Sequence, residues 1–406
     1  MTREQVYFIR LLRDYVHQEI STAPSQELDW EDILRYANEQ NLAGIIYYQT
    51  KNIPGIPGET ARKIQEGFLS DAYISVNMDY AYREIAKRFE KDNIRHMPFK
   101  GALVSDYYPH PELRTMGDRD VLIHPEDRAA SDEAILSLNY DKFVDHQAVW
   151  TYFKKTLMFE IHDVMFYENL ANQIDYREYF SHIWETAGSG PDEELSMQRI
   201  PDINMHFLYL MAHTAKHVIN NGMGFRAFLD MAFFALNATG RGNEPDWDWI
   251  GKELESLRLY EFTKVCFTLC EKWFDITMPF HLEEVDQTFL EDMTRKIFRD
   301  GVFGLDNEDN DATKASKEIH RSRQGYNLTA LGIILYRVFP PYEDLQLVPW
   351  YSWIDGKPWL LPVAWVYRWF YCLKNKREQS RDLLLEPYKK KETIQARQQY
   401  LEGWKL

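Results

Sequence analysis

The stretch 98-PFKGALVSDYYPHPELRTMGDRDVLIHPED-127 decides how this chain is interpreted. Asp118 and Asp120 lie one residue apart, and the apolar run Val-Leu-Ile follows them, so residues 119–123 are predicted to form a strand. Side chains alternate across a strand, so both carboxylates should point to the same face. Two adjacent carboxylates repel each other and raise each other's pKa unless a cation lies between them. The pair therefore predicts a metal site.

A second polar pair occurs in the later segment "FEIHD", where Glu160 and His162 share one face of a predicted strand. If that strand neighbours the first, Glu160 completes a cluster of three carboxylates with Asp118 and Asp120. Oxygen ligands of this kind suit Mg²⁺, or Mn²⁺ in its place, and one or two such ions can bind the phosphates of a nucleotide. Asp118, Asp120 and Glu160 are the predicted metal ligands and catalytic residues.

Lys100 and Gly101 are predicted to hold the phosphates. They lie between a short strand at 95–99 and a short helix at 101–108. Backbone N–H groups at a helix start attract phosphate, glycine permits close approach, and the lysine adds a positive charge. Arg114 precedes the acidic strand and can reach the same site.

Each of these motifs is weak when taken alone, because a surface strand end often produces two aspartates at this spacing. Their order is more specific. It runs strand, Lys-Gly, helix, R-x-x-G-D-x-D, three apolar residues, helix, two strands and E-x-H. That order favours a site for metal and nucleotide.

The combined pattern resembles an uncharacterised bacterial nucleotidyltransferase family of the polymerase-beta superfamily. The matching positions are Lys100-Gly101, Tyr108-Pro109, Arg114, Met116-Gly117-Asp118, Asp120 and Glu160-x-His162. The resemblance covers about residues 30–275 and is most specific over 98–124. The superfamily usually carries Gly-Ser where this chain has Lys-Gly, and Asp is more usual at the position of Glu160.

The resemblance implies a fold and an activity. The fold is α+β and mostly helical, with a small mixed sheet as the nucleotidyltransferase core and helical regions on both sides of it in sequence. The activity is transfer of a nucleoside monophosphate from an NTP to an acceptor that the resemblance does not identify. We expect ATP as the nucleotide and a small molecule or a protein as the acceptor. His162 of the E-x-H motif is expected at the nucleotide site.

A predicted helix over residues 203–221 carries His206, His213 and His217 on one face. Residue 214 is Thr, so the HExxH motif of zinc proteases is absent. The histidines are either buried core residues or, for His213 and His217, contacts of the nucleotide or acceptor. On the next predicted helix, Arg226 and Asp230 either form an i, i+4 ion pair or face the same cleft, where Arg226 would bind nucleotide.

Four regions are predicted: helical 1–95, the nucleotidyltransferase core 96–175, helical 176–300, and a linker with aromatic-rich helices over 301–406. Within the first region, residues 2–50 are predicted to form two helices and residues 59–92 one long helix, with Met78, Tyr82, Ile85 and Phe89 on one face. The acidic segment 301–318 is the linker candidate. Residues 358–373 are the most membrane-like stretch, but they number 16 and include Arg368 and Pro362. A spanning helix needs about 20 apolar residues. We therefore expect no transmembrane segment and a helix that docks on protein, the alternative being a helix on a membrane surface.

The formal net charge is −16, which argues against bulk nucleic-acid binding because that affinity depends on clustered Lys and Arg. Three cysteines form no disulfide framework, which predicts a reducing, cytoplasmic location. Two functions stay open at this point. The first is a metal-dependent nucleotidyltransferase, and the second is an inactive nucleotide-binding or protein-interaction module on the same fold.

Overall fold

The computed structural model describes residues 1–145, 148–167, 170, 172, 174–220, 222–237, 244–284, 286–301, 330–345, 349–375, 384 and 399–406. Over these residues the protein is mostly helical with a small mixed sheet, which confirms the predicted α+β class. The linker candidate 301–318 and the basic run 374–397 lie almost entirely outside the described residues.

Two compact units divide the chain. One comprises residues 1–167, 176–217 and 221–304, and the other comprises residues 168–175, 218–220 and 305–406. The four regions predicted from the sequence stay a proposal.

The N-terminal part of the first unit is helical. It contains α1 (Arg3–Val16), α2 (Trp30–Glu39), α3 (Ala43–Thr50) and α4 (Gly58–Lys91). A capping box begins α1, because Thr2 and Gln5 each accept a hydrogen bond from the other's backbone N–H. We predicted two helices before residue 50, whereas the structure has three. The difference arises at Asn41, whose positive φ of 53° interrupts the helix between α2 and α3.

The central part contains the sheet and two α-helices. Its elements are β1 (His96–Pro98), α5 (Gly101–Val104), β2 (Arg119–Ile123), α6 (Arg128–Ser137), β3 (Asp141–Asp145), β4 (Val149–Lys154) and β5 (Leu157–His162). The strand order is β1-β2-β5-β4-β3. The β2–β5 pair is parallel, and the other three pairs are antiparallel. Strand β3 was not predicted, because its sequence DKFVD has charged ends and the strand contains a bulge.

One face of this sheet packs on helices. The predicted stripe of α4, comprising Met78, Tyr82, Ile85 and Phe89, is buried in one core cluster with the apolar residues of β2, β4 and β5. Val121 and Ile161 belong to that cluster and are fully buried. Because side chains alternate along a strand, Asp120 and Glu160 lie on the opposite face. The burial of one face therefore sets the direction of the acidic residues.

The remaining elements of the first unit are again mostly helical. They are α7 (Tyr176–Tyr179), α8 (Ile183–Thr186), β6 (Gly188–Ser189), β7 (Arg199–Ile200), α9 (Ile203–Asn220), α10 (Phe225–Asn237), α11 (Trp247–Ser256), α12 (Tyr260–Phe274) and α13 (Gln287–Asp300). Helix α9 ends within unit two, at residues 218–220.

The described helices of the second unit's C-terminal part are α14 (Ala330–Val338), α15 (Tyr342–Leu345) and α16 (Leu361–Asn375). Among the described residues, no helix is both long enough and apolar enough to cross a membrane.

Candidate functional site

The centre of the candidate site is the parallel pair β2–β5. The register places Asp120 opposite Glu160, and His162 follows two residues later on the same face of β5. The Nε2 atom of His162 lies 2.8 Å from Oδ1 of Asp120 and 3.6 Å from Oε2 of Glu160. These three residues offer donor atoms that all lie within 4.8 Å of one another. Two segments 40 residues apart in sequence thus form one polar cluster.

The spacing of these donors suits a divalent cation. Adjacent ligands of an octahedral ion bound at about 2.1 Å lie about 3 Å apart, close to the distances between His162 and the two acids. Carboxylate oxygens suit both Mg²⁺ and Mn²⁺, and an imidazole nitrogen favours a transition metal over Mg²⁺. The residues present therefore fit a bound metal ion, and their chemistry permits either cation.

Asp118 lies immediately before β2, outside the strand whose alternation we used to place its carboxylate beside that of Asp120. It is partly buried, and among the described residues its carboxylate has no hydrogen-bond partner. Burial and the negative charge of Asp120 raise the pKa of Asp118 to about 6, although Lys100 opposes the shift. Asp118 is thus a carboxylate whose charge the folded protein does not fully compensate.

Asp120 has the opposite environment. The Lys100 ammonium forms an ion pair with its carboxylate, and His162 contacts the same oxygen. Burial alone would raise the pKa of Asp120, but Lys100 and His162 outweigh burial and lower it. Burial would lower the pKa of Lys100, and Asp120 together with Tyr209 raises it well above its usual value. The two aspartates, equivalent in the sequence pattern, are therefore electrostatically different.

Lys100 also has an unusual backbone. Its φ is 54° and its ψ is −131°, a conformation that favours glycine because a Cβ atom makes it strained. Such a residue costs of the order of 1–3 kcal/mol. This backbone conformation places the Lys100 ammonium beside Asp120.

Gly101 is required by the packing of Arg114. A Cβ atom built on Gly101 would lie 2.9 Å from the Arg114 guanidinium carbon, so no larger residue fits there without movement. Arg114 donates from Nε and Nη2 to the two carboxylate oxygens of Asp230 at 2.9 and 2.8 Å, and the Tyr108 hydroxyl donates to Oδ1 at 2.7 Å. We call Tyr108, Arg114 and Asp230 the arginine clamp. The clamp fixes the segment 108–114, and with it the packing against Gly101, to α10.

The local ion pair considered for Arg226 and Asp230 is not formed in the described part of the chain, because Asp230 binds Arg114 instead. Arg226 donates from Nη1 to the carbonyl oxygen of Thr115 at 3.1 Å. Its other guanidinium N–H groups have no hydrogen-bond partner among the described residues. Burial and the neighbouring charge of Arg114 lower the pKa of Arg226, whereas Asp230 and Asp118 oppose the shift. Arg226 is thus a cation near Asp118 and Asp230, and its remaining guanidinium N–H groups are available to a ligand.

The histidines of α9 occupy two environments. His213 and His217 face each other with their Nε2 atoms 2.8 Å apart, so one donates and the other accepts. His213 stacks on Tyr209, and burial with the charges of His217, Lys216, Lys100 and His162 lowers its pKa well below the usual value.

His206 lies two turns earlier and is buried near the arginine clamp. Burial and Arg114 lower the pKa of His206 to about 4. Its Nε2 has no hydrogen-bond partner among the described residues.

Asp230 and Tyr108 are the important residues whose roles the sequence did not reveal. The i, i+4 spacing from Arg226 pointed to a local partner for Asp230, whereas its real partner is 116 residues away. Tyr108 belongs to the Tyr-Pro motif that matches the family, but its hydrogen bond to Asp230 of α10 depends on tertiary packing.

Comparison with known proteins places the chain in a family. A profile described as "Uncharacterised nucleotidyltransferase" matches residues 26–275, more than half of the chain. The chain belongs to this uncharacterised nucleotidyltransferase family. No curated protein and no solved structure matches it.

Proposed function

We propose that this protein transfers a nucleoside monophosphate from an NTP to an acceptor in a reaction that depends on a divalent metal ion. The observation that carries the proposal is the parallel pairing of β2 with β5, which places Asp120 opposite Glu160 beside Lys100. Membership of the nucleotidyltransferase family supports a nucleoside triphosphate as substrate. ATP is the proposed nucleotide.

In the proposed reaction the acceptor oxygen forms a bond to the α-phosphorus of the nucleotide. The bond from that phosphorus to the bridging oxygen of the β-phosphate breaks, and pyrophosphate leaves. Asp120, Glu160 and His162 offer donor atoms within 4.8 Å of one another and would hold the metal, together with Asp118 immediately before β2. A bound divalent ion would neutralise charge on the phosphates and polarise the phosphorus–oxygen bond. The acceptor proton passes to Glu160 or to solvent.

Three cations are proposed to have different tasks. Lys100, with the backbone of Gly101, contacts the triphosphate after the ammonium leaves Asp120. Arg226 uses only Nη1 for hydrogen bonds among the described residues, and its other guanidinium N–H groups contact the nucleotide or acceptor directly. Asp230 already accepts hydrogen bonds from two nitrogens of Arg114, so Arg114 is not proposed to contact the nucleotide directly. It is proposed to hold Gly101 in position for the phosphates by packing against it. His213 and His217 are the proposed contacts on α9.

A second candidate function is supported by one observation. The Lys100 ammonium already neutralises Asp120, so a metal ion binding to Asp120 has to displace that ion pair. A protein that retains this pair in the presence of nucleotide would bind NTP without transferring it. This is the inactive binding module considered above.

The deciding experiment is label transfer from ATP radiolabelled at the α-phosphate, with Mg²⁺ or Mn²⁺ and a cell extract as the source of acceptor. We expect metal-dependent labelling that Asp118→Asn and Asp120→Asn each reduce by about a thousandfold or more, because electrostatic stabilisation supplies most of the rate. Nucleotide binding is measured in parallel by calorimetry. Binding without any transfer, in the wild type, would reject the enzyme and support the binding module.

A further inference from the structure

Helix α16 (Leu361–Asn375) has two chemically different faces. Its inner face is attached to the second unit: the indole N–H groups of Trp365 and Trp369 donate to the carbonyl oxygens of Pro340 and Val338, both at 2.8 Å. Ala364 is fully buried in a cluster that contains Leu345 and Ile354. The protein therefore holds the orientation of α16 through this face.

The outer face is apolar and exposed. Val363, Val366, Tyr367 and Phe370 fall at helical spacing, and Trp359 precedes them in the adjoining turn. Trp359 is 70% exposed and Phe370 is 71% exposed. Large aromatic side chains with this exposure mark an interaction surface rather than ordinary surface composition. We call these five residues the aromatic face.

We propose that the aromatic face binds the surface of an anionic lipid bilayer, with α16 lying in the plane of the membrane. Trp and Tyr are enriched where membrane meets water, because their rings are apolar and each carries a polar group. A helix with one apolar face and basic residues beside it binds at that depth. The inner face stays on the protein, so the chain would be attached without spanning.

The charge around the aromatic face favours anionic lipid. Lys357 and Lys374 lie exposed at its two ends. Helix α16 itself contains Arg368 and Lys374 and no Asp or Glu, although the whole chain has a net charge of −16. Each basic residue near an anionic membrane strengthens binding about fivefold. A second copy packed on the same face would bring the exposed lysines of the two chains together, and like charges at an interface oppose association.

The test is co-sedimentation of the full chain with vesicles of phosphatidylcholine alone or mixed with phosphatidylglycerol. We expect binding to the mixed vesicles that weakens as salt rises, and at least tenfold weaker binding to the neutral ones. Trp359→Glu and Phe370→Glu should each lower the partition coefficient at least tenfold. Lys374→Glu should lower it about fivefold or more for the anionic vesicles only.

Helix α4 offers a matched control. Its residues Leu69, Tyr73, Val76 and Tyr80 form another exposed apolar stripe, in which Tyr73 is 67% exposed. Tyr73→Glu should leave vesicle binding unchanged. Folding of each variant is checked by circular dichroism. If a glutamate variant fails to fold, brominated lipid serves instead: it should quench wild-type tryptophan fluorescence, and Trp359→Phe should reduce that quenching while binding persists.

Three results would overturn the proposal. One is absence of wild-type binding, or equal binding to neutral and anionic vesicles. Another is an equal loss of binding in Tyr73→Glu, which would indicate general adhesion of exposed aromatics. The last is a dimer in solution that Phe370→Glu dissociates, which would assign the aromatic face to a second copy of the chain.

Discussion

The arginine clamp lies on one side of the Lys100–Gly101 loop, and the carboxylates of Asp118, Asp120 and Glu160, here called the acidic cluster, lie on the other. Each contains a buried ion pair. In the clamp, Asp230 accepts from Arg114 at both oxygens and from the Tyr108 hydroxyl. In the acidic cluster, Asp120 is neutralised while Asp118 has no hydrogen-bond partner among the described residues. Complete pairing is typical of a structural role, and charge left uncompensated is typical of a binding site. The comparison therefore separates the residues that build the loop from those that act on a ligand.

Breaking the clamp should have the largest effect on stability. Asp230→Asn leaves the Arg114 guanidinium buried without a counter-charge, which costs about 3–5 kcal/mol of unfolding free energy. Urea unfolding measures this cost. Arg226→Ala, on the same helix, is the control and should cost less than about 1 kcal/mol, because only Nη1 has a partner. Similar costs for both variants would show that the clamp has no special structural role.

Asp118 and Asp120 should respond in opposite directions when the metal-free protein is tested. The folded pKa of Asp118 is about 6 against an unfolded value of 3.8, so the folded form binds more protons in this interval and stability falls as pH rises through it. Asp118→Asn should remove that fall and add about 2–3 kcal/mol at pH 7, with no gain below pH 4.

Asp120→Asn should destabilise the metal-free protein by about 3 kcal/mol, because Lys100 loses its counter-charge. If repulsion between the two carboxylates alone decided the outcome, both substitutions would leave stability level or raise it. Thermal unfolding between pH 4 and pH 8 distinguishes the two aspartates. A stability gain at pH 7 from Asp120→Asn would contradict the assigned ion pair.

Gly101 tests how closely the clamp and the loop are coupled. The Cβ of Gly101→Ala would overlap the Arg114 guanidinium, so we expect a loss of about 1–3 kcal/mol in stability together with weaker nucleotide binding. Gly117→Ala is the matched control, since nothing lies within 4 Å of its added Cβ. Chemical denaturation and calorimetric titration of ATP give the two readouts. Equal losses in stability from both alanines would indicate that the overlap with Arg114 is not the cause.

Lys100 allows charge and backbone strain to be separated. Lys100→Ala and Lys100→Gly both remove the ammonium and should weaken binding of ATP with metal by about 1–3 kcal/mol. Lys100→Gly should be more stable than Lys100→Ala by about 1 kcal/mol, because glycine accepts a φ of 54° without a steric cost. Calorimetry and urea unfolding measure the two quantities. Wild-type affinity in both variants would remove Lys100 from the phosphate site.

Local sequence was sufficient for most of the core. The strand 119–123 was predicted at its observed bounds, and the long helix predicted at 59–92 is observed at 58–91. Apolar periodicity specifies these elements, because each must bury one face. Strand β3 was missed because its pairing with β4, rather than its own composition, makes it a strand. The break at Asn41 was missed for a similar reason, since one left-handed residue changes no hydrophobic pattern.

For the site, the sequence determined which residue types are present and on which face of each strand they lie. Alternation is a local property, so it directs Glu160 and His162 to one face whatever the sheet becomes. Tertiary structure alone decided the partners. Parallel pairing of β2 with β5 brought Asp120 to Glu160, the Lys100 backbone directed its ammonium to Asp120 rather than Asp118, and packing of α10 gave Asp230 to Arg114. Charge compensation depends on distances between segments far apart in the chain, and a linear pattern does not contain those distances.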